Sequence, residues 1–157
     1  MTLEEEVVDL LIQNHYTVTT AESCTAGLLA GRIMNVAGAS EVYNEGYITY
    51  ANYAKEKLLG VKHETLEAHG AVSPETAYEM AAGAAQAAQA NASLAVTGIA
   101  GPGGGTKEKP VGLVYIGCCV DGHVRVQEYH FTGSRSENRD SAVEEALLLL
   151  KEELLGR

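Results

Sequence analysis

A three-layer α/β/α fold around a mixed β-sheet is the architecture that the sequence predicts. The chain has 157 residues, 46% of them hydrophobic, which suits one domain with a sizeable core. Segments of helical periodicity alternate with short β-branched segments, as in sheets whose strands are joined by helices. Near the end, two strand-like segments flank Asp121-Gly122, a hairpin signal that adds antiparallel strands to parallel ones. We therefore treat residues 1–157 as a single domain.

The first half of the chain alternates helix and strand. A helix is predicted from Leu3 to Asn14, where apolar residues recur at helical spacing and acidic residues occupy the opposite face. Gly60 is a typical helix stop, and Ser23 suits the N-cap of the helix that follows it. The remaining predicted elements are a strand over 17–21, a helix over 28–34, a strand over 42–50, a helix over 53–59 capped by Asn52, and a helical turn over 64–68 closed by Gly70.

The second half begins with a clear helix start. Ser73 is the expected N-cap, Pro74 the first helical residue, and the alanine-rich helix to about Ala90 predicts close packing on a sheet or on another subunit. Ser134 and Glu137 form a capping box for the last helix. Between these helices we predict a strand over 93–97 and two hairpin strands over 111–120 and 124–132.

Charge and cysteine usage exclude several classes of protein. The net charge of −10 argues against a protein that binds nucleic acid or membrane surfaces. Three cysteines, with Cys118 and Cys119 adjacent on a predicted strand, do not form a disulfide framework. No apolar run approaches the length of a membrane span, and the N-terminus lacks a basic signal region. We expect a reduced, cytoplasmic protein without a metal or other cofactor.

Ser23 lies at the predicted junction between a strand and a helix. A serine there can act as an N-cap, or it can present its hydroxyl on a sharp turn as a nucleophile. In the second case the free N–H groups of Cys24 and Thr25 could stabilise an oxyanion. Cys24 is itself either a nucleophile at a helix N-terminus or a buried thiol.

Lys55 is the candidate base. If Asn52 caps the helix, Lys55 lies in its first turn, where the helix dipole disfavours the ammonium and lowers the pKa of the amine, and partial burial would lower it further. Tyr50, at the end of the preceding predicted strand, could relay a proton. The alternative is that Lys55 is a solvated surface lysine and Tyr50 an aromatic residue at the edge of the core.

A glycine-rich segment follows the predicted strand over 93–97. Residues 98–105 include five glycines, which expose backbone N–H groups and allow close approach of a ligand. The pattern matches neither a P-loop nor a dinucleotide fingerprint, so it predicts either an anion-binding loop or a flexible connection. Arg135 and Arg139, at the start of the last helix, suggest an anionic partner or salt bridges to the acidic surface.

Four motifs together resemble the CinA C-terminal domain family. They are Thr-Ala-Glu-Ser-Cys-Thr at 20–25, Gly-Tyr-Ile-Thr-Tyr-Ala-Asn at 46–52 with Lys55 after it, His-Gly-Ala-Val-Ser at 69–73, and Thr-Gly-Ile-Ala-Gly-Pro at 97–102 with Lys-Pro-Val-Gly at 109–112. The resemblance extends from about residue 4 to residue 155. Enzymes of this family are nicotinamide-nucleotide amidohydrolases.

The resemblance implies hydrolysis of nicotinamide mononucleotide to nicotinate mononucleotide and ammonia, without a metal. Ser23 matches the nucleophile, and Tyr50 and Lys55 match the positions that transfer protons. The substrate-binding positions implied are Cys24, Thr25, Thr97, Gly98, Ala100, Gly101, Gly104, Gly105 and Arg139.

Two departures from the family pattern are small. Ala26 replaces a frequent glycine and Gly103 a common aspartate, and neither removes a proposed catalytic group. The alternative function is a catalytically silent module that binds a nucleotide or regulates another protein, since a pocket can outlive its reaction. We also expect a homodimer or a higher homo-oligomer that takes a small nucleotide, with no nucleic acid or membrane partner.

Overall fold

A five-stranded mixed sheet forms the middle layer of the structure, a computed structural model that describes residues 1–156. In chain order its strands are β1 (Val18–Glu22), β2 (Tyr47–Ile48), β3 (Ala92–Gly98), β4 (Leu113–Val120) and β5 (His123–His130). Their spatial order is β2-β1-β3-β4-β5. The first three strands are parallel, whereas β4 runs antiparallel to β3 and β5 antiparallel to β4. The predicted mixed sheet is confirmed.

Six helices form the two outer layers. They are α1 (Leu3–Gln13), α2 (Leu28–Met34), α3 (Asn52–Leu59), α4 (His63–His69), α5 (Pro74–Ala88) and α6 (Arg135–Leu155). Helices α1, α2 and α6 pack together on one face of the sheet, and α5 covers the other face with α3 and α4 against it. The predicted three-layer α/β/α arrangement is therefore confirmed. Within residues 1–156, no helix combines the length and apolarity needed to span a bilayer.

Each face of the sheet has its own hydrophobic core. Cys118 and Cys119, neighbours on β4, point into opposite cores, as their adjacency predicted. Neither forms a disulfide within residues 1–156. The core beneath α6 is built from large aliphatic side chains, whereas the core beneath α5 depends on alanines. A Cβ atom at Gly117 of β4 would lie 2.7 Å from the carbonyl oxygen of Ala77. The alanine-rich helix thus packs closely on the sheet.

Gly83 marks a second close approach, between α5 and the end of α3. A Cβ atom there would lie 1.8 Å from the carbonyl oxygen of Leu59. We expect Gly83→Ala to lower the free energy of unfolding by about 3 kcal/mol, since overpacking outweighs the gain in helix propensity. At Gly31 in α2 an added Cβ atom would meet no described atom within 4 Å beyond its chain neighbours and the helix's own backbone, so Gly31→Ala should instead raise the free energy of unfolding by up to about 1 kcal/mol. Urea unfolding of both variants tests this, and equal effects would contradict it.

The helix starts predicted at Ser73 and Ser134 and the predicted hairpin turn are confirmed. The Ser73 hydroxyl accepts a hydrogen bond from the N–H of Thr76 at 3.1 Å, and Ser134 and Glu137 form the capping box of α6. Asp121 and Gly122 have φ angles of 52° and 82°, the left-handed conformation that a two-residue hairpin turn requires.

The strand predicted over 42–50 is wrong except at Tyr47–Ile48. A short 3₁₀ turn occupies Ala39–Glu41, and Tyr43 makes only an isolated bridge to Val18. Side chains of β1 hold this segment instead of a ladder: the Tyr43 hydroxyl hydrogen-bonds Thr20 Oγ1 at 2.8 Å, and Thr19 Oγ1 donates to the carbonyl of Glu45 at 2.7 Å. The alternating residue pattern therefore predicted a strand in a segment whose path is set by side-chain hydrogen bonds and not by strand pairing.

Candidate active site

A cavity of about 290 Å³ opens at the carboxyl ends of β1 and β3. Parallel strands bring the turn after Glu22 and the glycine-rich loop after Gly98 to the same edge of the sheet, where ligands of α/β proteins usually bind. Nine of the predicted site residues line the cavity: Ser23, Cys24, Tyr50, Lys55, Thr97, Gly98, Ala100, Gly101 and Gly104. Thr25, Gly105 and Arg139 do not.

Ser23 and Lys55 meet in this cavity. Lys55 Nζ lies 3.1 Å from Ser23 Oγ, although 32 residues separate them in the chain. The lysine side chain is only 1% exposed, so the hypothesis of a solvated surface lysine is wrong. The hydroxyl and the amine are within direct proton-transfer distance.

The other partners of Lys55 determine which way the hydrogen bond to Ser23 runs. Nζ also donates to the carbonyl oxygens of Thr49 and Tyr50, at 2.8 and 3.1 Å. Carbonyl oxygens only accept, so a neutral amine uses both of its N–H groups on them. Its lone pair is then left for the Ser23 hydroxyl, which must donate. The neutral form of Lys55 is thereby oriented as a base for Ser23.

Burial lowers the pKa of Lys55 to about 8. The predicted cap at Asn52 is wrong: Ala51 is the N-cap of α3, it provides no side-chain bond, and Lys55 is the fourth helical residue. Desolvation by the surrounding protein is therefore the physical cause of the lowered pKa. At neutral pH an appreciable fraction of Lys55 is unprotonated and can accept a proton.

Tyr50 contributes its backbone rather than its hydroxyl to this pair. Its carbonyl oxygen accepts from Lys55, while its side chain is 65% exposed at the mouth of the cavity. No hydrogen bond within residues 1–156 joins the Tyr50 hydroxyl to Ser23 or Lys55. The relay predicted for Tyr50 thus has no hydrogen-bond path within residues 1–156, whereas Ser23 and Lys55 are in direct contact.

The turn after Ser23 differs from the predicted cap. Helix α2 begins at Leu28 with Gly27 as its N-cap, so Ser23 does not cap it. The buried carboxylate of Glu22 takes that role, accepting from the N–H groups of Leu29 at 2.9 Å and Ala30 at 3.0 Å. Ser23 is consequently free to face the cavity. Sequence reasoning missed Glu22, since its only signal is an acidic residue at the end of a buried strand.

The side chains of Thr25 and Arg139 lie behind this turn and bind protein groups, outside the cavity in which their contact with substrate is predicted. Thr25 is fully buried and donates through Oγ1 to the Glu22 carboxylate at 2.7 Å. Arg139 donates through Nε to the carbonyl of Cys24 at 2.8 Å and through Nη2 to that of Thr25 at 3.2 Å. Among the described residues, no carbonyl accepts the N–H groups of Cys24 and Thr25.

Cys24 is a buried thiol rather than a nucleophile. Burial raises its pKa to about 11, so the thiolate is scarce at neutral pH. Because only thiolate attacks efficiently, Ser23 is the better candidate of the two neighbouring residues.

The glycine-rich loop forms the opposite wall of the cavity. A Cβ atom at Gly98 would lie 2.6 Å from Val114, and Gly101 and Gly104 both have φ angles of +87°. Gly105 instead packs its backbone against Val111 and does not line the cavity in which its contact with substrate is predicted.

Polar contacts hold this loop in place. Thr97 Oγ1 donates to the carbonyl of Ala71 at 2.8 Å, and Asn138 Nδ2 donates to that of Ala100 at 3.0 Å. Arg135 donates to the carbonyl of Gly101 at 2.8 Å and lines the cavity. Of the two arginines weighed from the sequence, Arg135 is therefore the cation beside the cavity.

A family model and the sequences of related proteins identify the same family for this chain. The family model described as the CinA C-terminal domain matches residues 1–154. A CinA-like protein of Kosmotoga olearia is 54% identical over 153 residues, covering 98% of this chain and 37% of its own length. A Clostridium novyi protein, named for competence-damage induction, is 52% identical over 157 residues. This chain spans 38% of that relative.

Solved structures agree with the sequence relatives. A CinA superfamily protein from Klebsiella pneumoniae superposes with a TM-score of 0.95 at 35% identity, covering 99% of this chain and 97% of its own. The competence/damage inducible protein CihA from Agrobacterium tumefaciens gives a TM-score of 0.89 at 45% identity, covering 96% and 94%. The chain therefore belongs to the CinA C-terminal domain family.

Proposed function

We propose that the protein hydrolyses the carboxamide of nicotinamide mononucleotide, giving nicotinate mononucleotide and ammonia. The observation that supports this most strongly is the buried contact between Ser23 and Lys55 in a cavity walled by the glycine-rich loop. A serine beside a neutral amine is a device for acyl transfer. The choice of amide follows from the family resemblance of the motifs around these two residues.

The first step is attack on the carboxamide carbon. Lys55 takes the hydroxyl proton of Ser23 as Oγ forms a bond to that carbon, which the pyridinium ring makes electrophilic. Negative charge develops on the amide oxygen, and the N–H groups of Cys24 and Thr25 are the nearest backbone donors in sequence. One such donor contributes roughly 10²–10³ in rate.

The second step releases ammonia. The protonated Lys55 donates its proton to the leaving nitrogen as the C–N bond breaks, which leaves an ester on Ser23 and a neutral amine. Water then attacks the ester carbon with Lys55 as the base, and the proton returns to Ser23 Oγ. The acid is released, and the starting protonation state of the pair is restored.

Arg135 provides a local positive charge for the phosphate of the substrate. The protein carries a net charge of −10, so an anionic ligand needs such a site. Arg135 lies at the cavity wall and is tied to the loop through Gly101. Exposed N–H groups of the glycine-rich loop would complete the phosphate contacts.

Replacing Arg135 should therefore weaken binding of a phosphorylated substrate. We expect Arg135→Met to raise KM for nicotinamide mononucleotide about tenfold or more, as for loss of a charged hydrogen bond. KM for nicotinamide riboside, which lacks the phosphate, should change little. Steady-state assays with both substrates test this, and equal increases in KM would contradict a role in phosphate binding.

The pH dependence of turnover should follow the neutral form of Lys55. With a pKa of about 8, the unprotonated fraction rises roughly tenfold per pH unit below that value and levels off above it. We expect kcat/KM to rise with the same slope and to reach a plateau above pH 8. A profile that is flat between about pH 6 and pH 9 would contradict Lys55 as the base.

Ammonia release from nicotinamide mononucleotide by metal-stripped protein tests the proposed function. We expect turnover of this amide with production of nicotinate mononucleotide in equal amounts. Saturable binding of the nucleotide without turnover would overturn the proposal in favour of a nucleotide-binding module.

A further inference from the structure

The carboxylate of Glu22 is buried behind the turn that holds Ser23, and it does not line the cavity. It accepts three hydrogen bonds: from Thr25 Oγ1 at 2.7 Å, from the N–H of Leu29 at 2.9 Å and from the N–H of Ala30 at 3.0 Å. One residue therefore joins the end of β1, the turn and the start of α2.

This turn needs such support because its backbone is unfavourable. Ala26 has a φ of 45° and Gly27 a φ of 100°, and a left-handed conformation is costly for alanine. The start of α2 provides no side-chain cap of its own, since Gly27 is its N-cap. The Glu22 carboxylate and the Arg139 guanidinium hold the turn from two sides.

The backbone of Glu22 also fixes the other half of the catalytic pair. Its carbonyl oxygen accepts from the N–H of Thr49 at 2.8 Å, and the carbonyl of Thr49 accepts from Lys55 Nζ at 2.8 Å. The next residue, Ser23, donates its N–H to the carbonyl of Val96 at 2.9 Å. The end of β1 therefore fixes the positions of both Ser23 and Lys55 through backbone hydrogen bonds.

We propose that Glu22 is a positioning residue of the active site. Its carboxylate holds the turn so that Ser23 Oγ stays within reach of Lys55 and the N–H groups of Cys24 and Thr25 remain available to an oxyanion. This inference rests on the proposed function and adds a residue that touches neither substrate nor the reacting atoms.

Glu22→Gln tests the proposal while nearly preserving side-chain volume. Glutamine keeps one acceptor oxygen but presents an NH₂ group to the N–H of Ala30. We expect kcat for ammonia release to fall about 10²-fold, the effect of a small misplacement of reacting groups, with little change in KM. The rate at which a fluorophosphonate labels Ser23 should fall in parallel, and this second readout does not depend on the choice of amide.

Glu79→Gln is the matched control. Glu79 is likewise a carboxylate that supports a helix start, accepting from the N–H of Lys62 at 2.9 Å and from Thr65 Oγ1 at 2.6 Å, but it lies outside the cavity. The Glu79→Gln variant should have a lower free energy of unfolding than the parent and an unchanged kcat. An unchanged kcat in Glu22→Gln, or an equal loss in Glu79→Gln, would overturn the proposal.

A second pair of variants covers the case in which Glu22→Gln fails to fold. Thr25→Val removes the hydroxyl that binds the carboxylate, and Thr25→Ser retains it. We expect Thr25→Val to lower kcat and the labelling rate, and Thr25→Ser to restore both. Equal rates in the two variants would overturn the positioning role. Absence of ammonia release by the parent protein would instead refute the proposed function, and the labelling rates would still decide the role of Glu22.

Discussion

We expect Ser23→Ala to abolish turnover while the protein still binds nicotinamide mononucleotide, the largest effect that the proposed mechanism predicts. The side chain is nearly buried at the cavity wall, and its hydroxyl lies 3.1 Å from the Lys55 amine. Removing the nucleophile should lower kcat by a factor on the order of 10⁴ or more. Ammonia release measures the loss, and calorimetric titration measures the retained binding.

An exposed serine provides the control for this variant. Ser40→Ala, in the 3₁₀ turn outside the cavity, should leave kcat unchanged. Turnover by Ser23→Ala at a rate near that of the parent would show that another residue is the nucleophile. Cys24 would then be the first to examine, because it also lines the cavity.

Lys55→Met should cause the second-largest loss. It removes the base and leaves Ser23 without a proton acceptor, so kcat/KM should fall by about 10²–10⁴-fold. The residual rate should also lose the rise with pH that the neutral lysine confers on the parent. Steady-state assays on both sides of pH 8, the approximate pKa of Lys55, measure both effects.

Lys57→Met is the matched control on the same helix. Lys57 is exposed, with its ammonium 5.6 Å from the centre of the Tyr53 ring, and it does not line the cavity. We expect it to retain the parent kcat/KM and pH profile. Lys55→Arg should resemble Lys55→Met, because a guanidinium stays protonated at these pH values. An active Lys55→Met variant would refute the proposed base.

Several elements with a local chemical signal are predicted correctly, although the caps predicted at Ser23 and Asn52 are wrong. The capping residues of α5 and α6 and the Asp121-Gly122 turn are confirmed, because each signal depends only on the backbone of a few residues. The strand predicted over 42–50 was wrong because hydrogen bonds of Thr19 and Thr20 in β1, with the Glu45 carbonyl and the Tyr43 hydroxyl, decide the path of that segment. Such contacts depend on tertiary structure, and residue periodicity does not encode them.

In the candidate site, too, the sequence identified residues but not the contacts they make in the folded chain. The motifs around Ser23 and Lys55 identified the two groups that meet, but the sequence could not give their distance. The lowered pKa of Lys55 was expected from a helix dipole with partial burial in addition, and burial is its cause in the folded chain. Arg139 carries N–H donors of the kind that bind a substrate, but backbone carbonyls of the turn accept hydrogen bonds from two of them.

Trapping of an acyl-enzyme on Ser23 tests the central claim most directly. The protein is mixed with nicotinamide mononucleotide, quenched in acid within the first turnover and digested, and the peptide that contains Ser23 is analysed by mass spectrometry. We predict a nicotinate mononucleotide ester on Ser23 in the parent protein and none in Ser23→Ala. Ammonia release without this ester, or with an adduct on another residue, would contradict Ser23 as the nucleophile.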